Sequence, residues 1–87
     1  MKRLWCKQFE NKEYKKEWQE LSTITKKPMK IGTIVQEEDT FAVYDGAHNW
    51  MGTFDKNGII TYNGAGTEYM KTFCESAVAF ARKEKRL

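Results

Sequence analysis

Hydrophobic positions change their period partway along this chain. Between residues 31 and 62 they fall in short β-branched and aromatic runs separated by turn residues. Beyond residue 67 they recur as Met70, Phe73, Cys74, Ala77, Val78 and Ala81, at offsets of 0, 3, 4, 7, 8 and 11. That spacing is one apolar stripe at 3.6 residues per turn, so it predicts an amphipathic helix that lies as a lid on another surface. Thr67 is placed to cap it, with Glu68 in the first turn and Arg82, Lys83, Lys85 and Arg86 at the far end, as the helix dipole favours.

The four runs before the helix supply that surface. Ile31 to Val35, Thr40 to Tyr44, Trp50 to Phe54 and Ile59 to Tyr62 read as strands. They are joined by Glu37-Glu38-Asp39, by a loop that Asp45-Gly46 opens, and by Asp55-Lys56-Asn57-Gly58, with Gly58 suited to a left-handed position. Loops this short force neighbouring strands to pair antiparallel. Alternation groups Ile31 with Thr33 and Val35, Phe41 with Val43, and Trp50 with Gly52 and Phe54. Nearly every phase holds a large apolar residue, so the pattern leaves open which face is buried.

The first third is less periodic. Tyr14, Trp18 and Leu21 stand at i, i+4 and i+7 among dense charges, which predicts a helix over residues 10–22. Residues 3–9 fit either an earlier start to that helix, since Trp5 and Phe9 are four apart, or a short edge strand. Pro28 makes residues 25–30 a connector. The expected fold is therefore a single α+β domain over residues 1–87. It has two layers, a four-stranded antiparallel meander with an N-terminal helix and a C-terminal amphipathic helix, in the order α-β-β-β-β-α.

Composition narrows the class. At 87 residues the chain has room for one core, and 14% aromatic residues give that core large side chains. No apolar run is long enough to span a bilayer, and the basic start lacks the apolar stretch of a secretory signal, so a cytosolic, non-membrane protein is expected. Cys6 and Cys74 are expected as two reduced thiols, the second inside the apolar stripe. The net charge of +3 is unevenly spread: +5 over residues 1–30, −5 over 31–81 and +3 over 82–87. An acidic body thus lies between two basic ends.

Chemistry is hard to find in this pattern. His48 is the sole histidine, set in a loop with Asp45 but without a nucleophile beside it, so no enzyme is expected. Glu37, Glu38 and Asp39 match no calcium loop, and two cysteines with one histidine make no zinc site, so no metal or cofactor is expected. The Asn63-Gly64-Ala65-Gly66-Thr67 turn lacks the third glycine and the following strand of a dinucleotide site. What remains is binding of another macromolecule, by an inhibitor, adaptor or regulator. Tyr44, Trp50, Met51, Phe54 and Tyr62 are the expected protein contacts, and Glu37, Glu38 and Asp39 the steering charges. A two-fold homodimer through an edge strand or the open sheet face fits the same pattern. The alternative is a nucleic-acid binder using Lys26, Lys27, Arg82, Lys83, Lys85 and Arg86.

Overall fold

The computed structural model of the protein describes residues 3–11 and 31–87. Five strands, β1 (Arg3–Glu10), β2 (Ile31–Glu37), β3 (Thr40–Tyr44), β4 (Trp50–Asp55) and β5 (Ile60–Tyr62), form one antiparallel sheet in chain order. The helix α1 (Glu68–Lys83) lies across one face of it. The fold is α+β with a helix on a meander, as the periodicities require, but the meander has five strands instead of four. The extra strand is β1, which settles residues 3–9 as strand. Of the helix expected over residues 10–22, Glu10 ends β1 and Asn11 follows it; residues 12–22 lie outside the described residues.

β1 pairs with β2 so that Glu10 stands opposite Ile31 and Lys7 opposite Ile34. Trp5 and Phe9 share the helix side of the strand. Phe9 is buried against Phe73 in an edge-to-face contact of 6.1 Å, while Trp5 stacks on Phe80 at 6.2 Å. Lys7 lies between them on the same side, exposed at the sheet margin. The connection from β1 is tied to the helix by Asn11, itself buried. Its Nδ2 donates to Thr72 Oγ1 at 3.1 Å, and Ser76 Oγ donates to its Oδ1 at 3.1 Å.

The core lies between sheet and helix. Ile34, Phe41, Val43, Met51 and Phe54 come from the sheet, and Tyr69, Phe73, Cys74, Ala77, Val78 and Ala81 from α1. Register explains one of its tightest contacts: Phe41 and Phe54 are cross-strand partners, and their rings stack at 4.7 Å with an interplanar angle of 3°. The helical stripe is as expected from Phe73 to Ala81. At its start Tyr69 is buried and Met70 only half-buried, because position 69 stands one turn before Phe73 and faces the sheet more squarely.

Both helix ends are closed by local chemistry. Thr67 Oγ1 accepts from Met70 N at 3.3 Å. At the other end Lys85 takes a left-handed φ of 61°, Lys85 N donates to Arg82 O at 3.0 Å, and Arg86 N donates to Ala81 O at 2.9 Å. That pair of bonds is a Schellman cap, with a lysine where glycine is usual.

Candidate functional site

The face of the sheet opposite α1 is covered by no element among the described residues. Reading across the strands by register, one row is Cys6, Val35, Ala42, Thr53 and Thr61. A second row is Gln8, Thr33, Tyr44 and Trp50, and a third is Arg3, Glu37, Thr40 and Asp55. The middle row carries short side chains between two taller ones. The result is a trough running across the strands, with Tyr44 and Trp50 along one wall and the acidic turn along the other. A concavity of about 310 Å³ opens at its acidic side, lined by Val35, Glu37, Glu38, Asp39, Thr40, Ala42 and Thr53.

Trp50 belongs to this face because of a bulge. Simple alternation puts Trp50 on one side with Gly52 and Phe54. In the structure Val43 pairs with Gly52 and Tyr44 with Trp50, which leaves Met51 as an extra residue in β4. Met51 and Gly52 both turn to the helix, and Trp50 is thrown outward, 42% exposed. Two groups hold the bulge. Asn63 Nδ2 donates to Trp50 O at 2.9 Å, and Asn63 N donates to Met51 O at 3.0 Å.

The loop between β3 and β4 is held from inside by Asp45. This carboxylate is buried at 1% exposure and accepts from Ala47 N and Asn49 N at 2.9 Å, from Asn49 Nδ2 at 3.3 Å, and from the Tyr69 hydroxyl. It clamps the loop to the first turn of α1 and orders the approach to Trp50. His48 stands at the loop tip, exposed, with a left-handed φ of 64°. The Asp45 carboxylate is engaged by Ala47, Asn49 and Tyr69.

At the other end of the face, the two-residue turn between β2 and β3 exposes Glu38 and Asp39, and Glu38 has a φ of 58°. Lys56 from the next turn approaches Asp39 at 4.0 Å, with both side chains mostly in solvent. Asp55 is half-engaged by its own turn, its Oδ1 accepting from Asn57 N at 2.9 Å and Ile59 N at 3.0 Å. Among the described residues, no group of three or more metal-ligating side chains converges on a point.

The expected contact residues are thus divided between surface and core. Tyr44, Trp50, Glu37, Glu38 and Asp39 gather on the uncovered face. Met51 and Phe54 are 3% and 1% exposed beneath α1, so they have nothing to offer a partner and are removed from the contact set. Tyr62 pairs with Gly52 on the helix side, where partial burial, then Glu75 and Cys74, push its phenol pKa up. Of the basic residues, Arg86 sits over the Trp5 ring at 5.2 Å, and the Arg82 guanidinium packs at Gly58. Lys83 and Lys85 are exposed on the helix layer, away from the trough, and Lys26 and Lys27 lie outside the described residues. Both thiols are free: Cys6 is exposed, and burial, with Glu75 adding, pushes Cys74 up to about 12.

Asp45, Tyr69 and Asn63 escaped the sequence reading as a set. Asp45-Gly46 announces a turn, but nothing in it announces that the carboxylate is buried and shared with a tyrosine 24 residues away. Among the described residues, no helix is long and apolar enough to cross a membrane. No protein-family model matches the chain, and no characterised protein or solved structure is significantly similar to it.

Proposed function

We propose that this is a small non-catalytic protein-binding domain, an inhibitor, adaptor or regulator that engages its partner through the uncovered sheet face. The observation that carries the reading is Trp50. A bulge turns it out of the core beside Tyr44, and a buried clamp and two asparagine hydrogen bonds keep it there. Exposed tryptophan and tyrosine on a rigid sheet are the residues that anchor interfaces, since they bury large area at little cost in side-chain entropy. The acids at the end of the same face suit a partner of positive potential and speed its approach.

The nucleic-acid reading has less to stand on. Two of its four described basic residues have structural work, Arg86 on Trp5 and Arg82 at Gly58, and the aromatic face carries acids where a phosphate backbone would lie.

The test is affinity capture from the source cells with the wild type and with Trp50→Ser and Tyr44→Ser, all three checked for equal stability. A protein held by the wild type and released by both variants supports the proposal. Equal retention by all three overturns it. Salt-sensitive binding of oligonucleotides without any protein partner overturns it in favour of the alternative.

A further inference from the structure

The geometry points to a lysine or arginine side chain of the partner protein as the occupant of the trough. This inference rests on the protein-binding reading and adds the chemistry of the contact. The floor, Val35, Ala42 and Thr53, is apolar or methyl-bearing and built of short side chains. A long side chain therefore has a surface against which to lay its methylenes. The wall at one end is Glu37, Glu38 and Asp39. Long basic side chains bind in this divided way, stem on apolar surface and charge at its margin.

Three observations select this occupant over others. The concavity, about 310 Å³, is at the lower end of the usual ligand-pocket range of roughly 300–1,000 Å³. The carboxylates line a wall and do not converge, an arrangement that suits a delocalised guanidinium or a mobile ammonium rather than a metal ion. Among the described residues the charge of the face is mostly acidic. Glu37, Glu38, Asp39 and Asp55 lie on it or at its turns, against Arg3 at the edge and Lys56 beside Asp39. Helix-layer Lys83 and Lys85 are on the other side of the molecule.

The test is a ¹H–¹⁵N NMR titration of the full chain with hexaarginine at low salt, repeated at high salt, with hexaglutamate as control. Saturable shifts at Val35, Glu37 to Thr40, Ala42 and Thr53, lost at high salt, are expected. The Glu37→Gln/Glu38→Gln pair is expected to weaken binding about five- to tenfold. Ala42→Leu fills the floor without touching a charge and is expected to abolish the shifts at Thr53, with the remaining spectrum unchanged. Shifts spread over Glu68 and Glu75 on the helix, or undiminished affinity in Ala42→Leu, overturn the inference. If a captured partner depends on Trp50 but is indifferent to both the glutamine pair and Ala42→Leu, the trough assignment fails while protein binding stands. If capture is indifferent to Trp50, the underlying reading itself fails.

Discussion

Replacing Asp45 with alanine is the sharpest test of how this domain holds its presented face. The carboxylate is 1% exposed and takes four hydrogen bonds, from Ala47 N, Asn49 N, Asn49 Nδ2 and the Tyr69 hydroxyl. Alanine removes the Asp45 acceptor of the buried tyrosine hydroxyl, at about 1–3 kcal/mol. It also releases the two backbone N–H groups, which recover part of their loss from water because Ala47 and Asn49 are partly open. The sum is about 3–5 kcal/mol, a large share of the roughly 4–13 kcal/mol expected for a chain of this length. Asp45→Asn keeps an acceptor for the backbone pair and is expected to cost about 1–2 kcal/mol. The measurement is urea unfolding of both variants, of Tyr69→Phe and of the Asp45→Asn/Tyr69→Phe double variant. A coupling of about 1–3 kcal/mol between positions 45 and 69 is expected. An alanine variant that loses less than about 1 kcal/mol, or a coupling near zero, refutes the clamp.

Three further outcomes follow from named contacts. Lys85→Gly at the left-handed cap is expected to stabilise by about 0.5–1 kcal/mol, read as a raised thermal midpoint. Gly52→Ala is expected to destabilise by about 1–3 kcal/mol, because its methyl meets Thr61 O at 2.7 Å and Cys74 Sγ at 3.0 Å. Stability is expected to decline as pH rises from about 9 towards about 12, since the unfolded Cys74 thiol ionises from its ordinary value while the folded one waits until about 12. The raised Tyr62 adds to the decline in the same direction. Cys74→Ala should therefore flatten the alkaline arm of a denaturation-versus-pH profile, and an unchanged slope contradicts the assignment.

Much of the scaffold was readable because local chemistry and tertiary demand agree. The stripe from Phe73 to Ala81, the Thr67 cap and the left-handed Gly58, at φ 81°, each follow from backbone or packing rules that act within a few residues. β1 was ambiguous for a physical reason. Trp5 and Phe9 fit one helical face as well as one strand face, and the residue that would complete the alternation is Lys7, tolerated there because the strand is at the margin. The outward turn of Trp50 was illegible because a single bulge reverses the parity of β4, and a bulge is set by the partner strand and by Asn63, not by residues 50–54 alone. For the same reason Met51 and Phe54 looked as available as Trp50. The trough depends on side-chain heights from three different strands, a quantity that exists only once the register is known.

Lys7 has one more consequence. Among the described residues β1 ends the sheet, and the outer margin of an edge strand has backbone groups that a strand from another molecule can pair with. An intruding strand continuing the sheet would have to bring its own side chains alongside an ammonium on the layer where Trp5 and Phe9 are apolar, and that charge would lose water in the exchange. The opposite margin, β5, is only three residues long. Among the described strands, edge-to-edge accretion, the first step towards fibrils, is thus discouraged at both margins of the sheet.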